Sequence, residues 1–154
     1  MNSVKIEENI TRTLQNLTKK TNLDKVEKAI VNKGLSLIKK QTKTNLRAVL
    51  PNAFRKSPLY VDTMADAIRS SVEVHQYGVL GKAHVMGKKS TGSGTFRLRF
   101  FEGGTVERIK KNGAKSGRIK PLNFFANAVS QTSGELDSVM QQEFDKQIDK
   151  ILKD

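Results

Sequence analysis

The two histidines, His75 and His84, are the residues of this chain best suited to metal binding or acid–base catalysis. A turn predicted near residues 79–80 would place them opposite each other in a hairpin. Two imidazoles alone make a poor zinc site, and no nearby Asp, Glu or Cys supplies a third ligand. Neither histidine has an evident carboxylate in its own element to orient it as a base. We therefore expect no metal site and no catalytic histidine.

Glu102 is the one carboxylate at a structurally marked position, because it follows an aromatic segment and precedes two glycines. A catalytic pair of carboxylates would need a partner that the sequence does not identify. A carboxylate that pairs with a nearby arginine is the favoured interpretation, and it makes Glu102 an anchor rather than a catalyst. We expect no enzymatic activity and no cofactor.

The segment from Gly81 to Lys89 is superficially like a phosphate-binding loop. It has five residues between its glycines instead of four, and Lys89 stands where a Ser or Thr should hold magnesium. No helical pattern follows it. A nucleotide-binding loop is therefore excluded.

A cluster of basic residues gives the clearest indication of a binding surface. Six of them fall within the thirteen residues from Arg108 to Lys120, and two more precede them in a glycine-rich loop. Such a surface can contact phosphates without reading base sequence, and no helix-turn-helix, zinc finger or RNA-stacking motif accompanies it. A solvated lysine-rich surface is the alternative for any single lysine. The residues predicted to contact a partner or DNA are Lys88, Lys89, Arg108, Lys110, Lys111, Lys115, Arg118 and Lys120.

The net charge of +13 is distributed unevenly along the 154 residues. Residues 1–60 carry +9, residues 61–81 carry −2, residues 82–120 carry +9, and residues 121–154 carry −3. This asymmetry points to a polyanion or an acidic protein as partner. The absence of Cys fits a reducing cytoplasm, and the absence of a long apolar run or signal peptide argues against a membrane partner.

The N-terminal third predicts two helices. Apolar residues at helical spacing favour a short helix or arm near residues 6–19, within an N-terminal arm of residues 1–20. Thr21 and Asp24 fit a capping box for a second helix from about 22 to 46. Its apolar stripe is Val26, Ile30, Leu37 and Ile38, and Ala29 and Gly34 allow close packing.

The middle of the chain predicts strands. Alternation over residues 68–75, a return at 82–86 and a further strand at 95–101 favour an antiparallel sheet of three to four strands. Flexible loops are expected at 87–94 and 106–120. Phe96, Leu98 and Phe100 would face the core, and we expect Phe96, Phe100, Phe124 and Phe125 to be core residues rather than base-stacking platforms.

A C-terminal amphipathic helix, either kinked or split in two, is expected after Pro121. Its first apolar stripe is Leu122, Phe125, Ala126 and Val129. The predicted fold class is therefore α+β, with N-terminal helices, an antiparallel sheet and this helix in a single domain over residues 1–154.

Two short motifs in this layout resemble the tail-completion or neck proteins of long-tailed bacteriophages, which join head to tail. In that family an aromatic strand ends in Glu-x-Gly-Thr, and a Pro-x-x-Phe-Phe-like start opens the last helix. An opening segment with a Leu-spaced helix and a later strand also match. The corresponding residues are Val4-Lys5-Ile6-Glu7, Ile10 to Leu17, Ala67 to Val72, the strand-end motif Phe100, Phe101, Glu102, Gly103, Gly104 and Thr105, and Pro121-Leu122-Asn123-Phe124-Phe125.

The resemblance implies a structural virion protein rather than an enzyme. Several copies would form a ring in the neck between the head connector and the tail tube or tail terminator, and duplex DNA would pass through it. The protein would be made in the host cytoplasm and reside in the virion. The alternative is a free-standing, non-specific nucleic-acid-binding protein that acts through its basic helices and loops.

Overall fold

The structure is a computed structural model that describes residue 15, residues 19–85 and residues 94–153. Lys88 and Lys89, nearly all of the predicted loop at 87–94, and the opening motif of the resemblance lie outside the described residues. The predicted helix at 6–19 does so too, apart from residues 15 and 19. The helices and strands are α1 (Lys20–Val49), β1 (Ile68–His75), β2 (Gly78–Val85), α2 (Leu98–Gly103) and α3 (Phe124–Lys153), with short 3₁₀ helices at Pro51–Phe54, Met64–Ala67 and Thr95–Arg97.

The predicted α+β class is confirmed, but the sheet within the described ranges has two strands, β1 and β2, rather than three or four. The prediction of a strand at 95–101 is wrong, because this segment is a 3₁₀ helix that continues into α2. Four residues separate Phe96 from Phe100, so both rings lie on one helical face, where they meet edge to face at 6.5 Å. Leu98 is completely buried. A short apolar run that alternates over so few residues fits a helix as well as a strand.

The hairpin between β1 and β2 turns at residues 76–77, and the predicted turn near 79–80 is wrong. Gly78, the first residue of β2, has φ +142, which only glycine adopts readily. The chain therefore reverses before Gly78 rather than after it. His75 therefore lies at the turn, whereas His84 lies one residue from the far end of β2. The predicted alternation of β1 holds in part, since Ile68 is buried and Val74 is 41% exposed.

Helix α1 ends at Val49, directly before Leu50-Pro51, because the residue before a proline is driven out of helical geometry. Its start is earlier than predicted. Thr21 lies inside the helix, so the capping box assigned to Thr21 and Asp24 is wrong. The Thr63 backbone N–H and hydroxyl instead donate to the Asp66 carboxylate, each at 2.8 Å, before the 3₁₀ helix at Met64–Ala67.

The chain divides into two compact units, each described here by itself. Unit 1 comprises the chain up to Ser36, Ser71–Lys82 and the chain from Gly134. In it, Val26 and Leu35 of α1 are buried. A Cβ added to Gly34 would lie 3.0 Å from Leu136 Cδ1 and 3.2 Å from Met140 Sδ, so the predicted close packing at Gly34 is confirmed.

Unit 2 comprises Leu37–Ser70 and Ala83–Ser133, and it contains the main hydrophobic core. A network of amides joins α1 to α3 in this unit. Asn45 Nδ2 donates to the Phe124 carbonyl at 3.2 Å and to Gln131 Oε1 at 2.9 Å. The core residues are Leu46, Ala53, Ala65, Ala67, Ile68, Val85, Leu98 and Phe124.

Helix α3 is continuous over thirty residues and begins at Phe124, three residues after Pro121. Its predicted first apolar stripe is displaced by one residue. Phe124, Ala128 and Thr132 are buried, at spacings of four, whereas Val129 is 41% exposed. The reason is Asn123, whose φ of +50 turns the chain at the helix start and directs Phe124 into the core.

Candidate arginine-rich binding site

The site is built where α2 meets the start of α3 in unit 2. The Glu102 carboxylate accepts hydrogen bonds from the backbone N–H groups of Phe125 (3.0 Å) and Ala126 (3.1 Å). The Leu122 N–H also donates to the Phe101 carbonyl at 2.8 Å. The first amides of a helix have no partner within the helix, and its N-terminus favours negative charge. Glu102 therefore caps α3 from a distance of more than twenty residues along the chain, which agrees with its predicted role as an anchor. The predicted pairing with an arginine is wrong, because no ion pair within the described ranges includes Glu102.

The segment between these two anchor points, residues 105–119, forms an irregular hairpin, here called the basic hairpin. Its ends are joined by the Thr105 N–H, which donates to the Ile119 carbonyl at 2.9 Å. Further along, the Ser116 N–H donates to the Arg108 carbonyl at 2.7 Å, and Ile109 and Lys115 form an antiparallel bridge. The segment expected to be a loop at 106–120 thus contains a hydrogen-bonded hairpin, which fixes the backbone positions of its charged residues.

Three arginines of this region lie over aromatic rings. The Arg97 guanidinium carbon is 4.2 Å from the centre of the Tyr60 ring, and Arg97 Nε donates to the Gly94 carbonyl. The Phe100 ring has two such neighbours, Arg99 at 4.9 Å and Arg108 at 6.0 Å. Stacking on a ring restrains a guanidinium while leaving most of its N–H donors available in the plane of the group.

Arg97 and Arg108, together with Arg118, line a cavity of about 480 Å³, here called the arginine pocket. Its walls combine three guanidinium-bearing residues with apolar side chains and two hydroxyl groups. No acidic residue is among its lining residues. The lining consists of Met64, Arg97, Phe100, Phe101, Thr105, Arg108, Ser116, Gly117, Arg118 and Ile119.

The charges of this pocket are not neutralised by nearby carboxylates. The ion pairs within the described ranges all use lysine or histidine as the cation, and no arginine takes part in one. A guanidinium carries five N–H donors, of which Arg97 uses its Nε–H on the Gly94 carbonyl, and a planar carboxylate or phosphate can accept two of the others at once. The pocket is therefore suited to an anionic group that carries an apolar portion.

The structure brings two of the predicted contact residues, Arg108 and Arg118, together at the pocket. The other four described ones lie outside it. Lys110 and Lys111 are exposed near the hairpin turn, and Lys115 pairs with Glu107 at 3.4 Å. Lys120 lines a neighbouring groove of about 800 Å³.

Sequence reasoning missed Arg97 and Arg99 as site residues, because a strand at 95–101 would have separated them from the basic hairpin. The predicted strand-end motif, Phe100 to Thr105, lies at the end of a helix instead of a strand. The available signal was the spacing of four between Phe96 and Phe100, which matches a helical face.

The histidines do not form a site. His75 Nε2 lies 3.5 Å from the Glu73 carboxylate, so the expectation that His75 has no carboxylate in its own strand is wrong. His84 Nδ1 is buried and has no hydrogen-bond partner within the described part of the chain. Over residues 19–85 and 94–153, no three His, Asp or Glu side chains converge as metal ligands would.

Neither long helix, nor any other helix among the described residues, has the length and apolarity to cross a bilayer. No protein-family model, curated protein or solved structure matches the chain significantly.

Proposed function

We propose that the chain is a structural virion protein of a tailed phage, several copies of which form a ring in the neck. The ring joins the head connector to the tail tube or tail terminator and lets duplex DNA pass. The observation that supports this most is the arginine pocket with its unpaired guanidinium groups, in a unit that also exposes large aliphatic side chains. Leu59, Val61, Val106 and Ile109 are 70–83% exposed in the same unit.

This combination is typical of a surface that another protein covers. Arginine and aromatic residues are enriched at protein interfaces, whereas large aliphatic side chains exposed at this level need a covering partner when they cluster. The guanidinium groups provide directional contacts, and the aliphatic groups provide area removed from water. An assembly protein needs such surfaces in addition to its own core.

The two motifs of the family resemblance also meet in this structure. Glu102, from the first motif, caps the helix that the second motif opens, and the basic hairpin lies between them. The two motifs therefore lie together at the base of the basic hairpin. This supports the proposal that the two motifs hold the basic hairpin so that it can contact a neighbouring subunit.

The direct test is the protein composition of purified phage particles and of isolated head and tail fractions, measured by quantitative mass spectrometry. We expect the chain in complete particles at a fixed copy number in proportion to the head-connector protein. Its absence from complete particles would contradict the proposal.

A second candidate function is non-specific binding of nucleic acid, and the unpaired arginines favour it. Binding of duplex DNA should then weaken steeply with salt, by a log–log slope of about −0.9 for each phosphate contacted. A Lys110→Gln/Lys111→Gln variant should lose about two units of that slope if both lysines touch phosphates. A shallow slope that the variant leaves unchanged would reject this function.

A further inference from the structure

We propose that the arginine pocket of one copy receives Phe144, together with Asp145 and Asp149, from helix α3 of a second copy. The inference rests on the proposed function, since it names the contact that joins neighbouring copies of the ring. The pocket belongs to unit 2 and Phe144 belongs to unit 1. A contact between two different surfaces of identical chains is heterologous, which is the geometry that generates a ring.

The pocket walls indicate a protein side chain as the occupant. Met64, Phe100, Phe101 and Ile119 provide apolar contact at its floor and sides. A phosphodiester backbone has no apolar group to fill such a space, and water alone would leave the apolar surface hydrated at a cost. An aromatic side chain removes that surface from water, and its ring can stack on a guanidinium.

The pocket rim indicates carboxylates beside that side chain. Arg108 and Arg118 are exposed and have no ion-pair partner within the described part of the chain. Arg108 is held near the Phe100 ring, so less side-chain freedom is lost when it binds an oxyanion. A carboxylate can accept hydrogen bonds from two parallel N–H groups of one guanidinium, and these two bonds both orient and stabilise the contact.

Helix α3 carries a surface of the matching chemistry. Phe144 is the one phenylalanine of the seven that is exposed, at 41%, and a large aromatic ring left in water favours burial by a partner. Asp145 is its neighbour on the helix, and Asp149 lies one turn further on the face of Asp145. Residues 134–154 contain six acidic and three basic side chains, so this segment as a whole complements the +9 charge of residues 82–120. Asp145 and Asp149 share a groove with Lys146, Lys150 and Lys153, and the two carboxylates must turn from these lysines to the arginines of the neighbouring copy.

The chain contains no cysteine, which allows a direct test by cross-linking of the full-length protein. One population carries Ser116→Cys in the pocket, and a second carries Gln141→Cys, three residues before Phe144 on the same helical face. The two are mixed and treated with a short bismaleimide. The matched control is Lys150→Cys, which is exposed on the same helix and, nine residues after Gln141, lies on the opposite side of it from Gln141.

We expect the Ser116→Cys and Gln141→Cys copies to form a cross-linked dimer, and the Ser116→Cys and Lys150→Cys copies to form about tenfold less of it. Reversing the rim charges with Arg108→Glu/Arg118→Glu should reduce the dimer by about tenfold or more, because two charge-assisted contacts become repulsive. Asp145→Arg/Asp149→Arg on the other copy should restore it. Lys110→Glu/Lys111→Glu makes the same change of charge outside the pocket and should have little effect.

Three outcomes would overturn the inference. These are no dimer with Gln141→Cys, equal dimer with Lys150→Cys, and a dimer insensitive to the Arg108→Glu/Arg118→Glu change. If that change left cross-linking intact but abolished binding of duplex DNA, the pocket would hold phosphate and the inference would be wrong. Circular dichroism spectra and melting curves of the variants establish that each one is folded.

The failure of this inference and the failure of the proposed function give different results. If the chain is present in purified particles but the pocket variants cross-link normally, only the pocket contact is rejected. If the contact is confirmed while the chain is absent from particles, only the neck function is rejected.

Discussion

The Glu102 side chain and the Phe125 backbone are joined by a hydrogen bond of 3.0 Å, although twenty-three residues separate them. The carboxylate supplies the helix cap that no residue immediately before α3 provides, and it brings negative charge to the positive end of the helix. The same bond closes the base of the basic hairpin. Stability of the C-terminal helix and presentation of the arginines therefore depend on one side chain.

Replacement of Glu102 tests this cap. Glu102→Ala should lower the free energy of unfolding by about 1–2 kcal/mol, because two helix amides lose their acceptor. Glu102→Gln should lower it by less, since one oxygen remains. The control is Glu107→Ala, whose exposed ion pair with Lys115 should contribute less than about 0.5 kcal/mol. Denaturant unfolding measures these values, and equal effects of the two alanine variants would contradict the cap.

Two adjacent glycines should respond in opposite directions to alanine. Gly104 has φ +71, and an added Cβ would lie 2.9 Å from the Ile119 carbonyl oxygen, so Gly104→Ala should cost about 1–3 kcal/mol. Gly103 has open space around it at the end of α2, and Gly103→Ala should be neutral or stabilising by up to about 1 kcal/mol. Thermal melting of both variants measures the difference. A similar effect at both positions would show that the turn is misassigned.

The register of α3 can be tested at two apolar positions. Phe124 is buried at 1% exposure, and Phe124→Ala should destabilise unit 2 by about 3–5 kcal/mol. Val129, which the sequence pattern assigned to the core, is 41% exposed, so Val129→Ala should cost less than about 1 kcal/mol. Chemical denaturation ranks the two. A larger loss of stability for Val129→Ala than for Phe124→Ala would support the apolar stripe predicted from the sequence.

The pKa of Glu73 provides a test of the hairpin in unit 1. A 2.7 Å hydrogen bond from Lys82 and then the charge of Lys82 hold the pKa of Glu73 below its ordinary value. Because the folded-state pKa is the lower one, this interaction stabilises the protein above the unfolded-state pKa and is lost as the pH falls through the folded-state value.

In an NMR titration of the Glu73 carboxyl carbon, Lys82→Met should therefore move the midpoint upwards. Lys111→Met, at a lysine that is not among the groups shifting the pKa of Glu73, should leave it unchanged. A wild-type midpoint at the ordinary value of about 4.3 would show that the pair does not form in solution.

The long helices could be predicted from the sequence, whereas the short elements could not. Helix α1 has many turns over which the 3.6-residue period accumulates, and Leu50-Pro51 fixes its end. The segment 95–101 is too short for its apolar spacing to distinguish a helix from a strand. The start of α3 depends on the turn at Asn123 and on the cap that Glu102 supplies from far along the chain. Neither residue produces a periodic pattern in the sequence.

The same reasoning explains what could be predicted of the site. Charge density alone identified Arg108 and Arg118, because six basic residues within thirteen are evident in any sequence. The pocket itself depends on helix α2, which brings Arg97, Phe100 and Phe101 to the hairpin. Tertiary packing brings these residues together from distant parts of the sequence. Their proximity cannot be predicted when the helix that carries some of them has been assigned as a strand.

The central claim is that copies of this chain form a ring around the DNA channel of a phage neck. The most direct test is an electron cryomicroscopy reconstruction of the neck of purified particles. We expect a closed ring of density into which this chain fits, with the acidic half of α3 in each copy against the basic hairpin of its neighbour. A neck fully explained by other proteins, with no density for this chain, would contradict it.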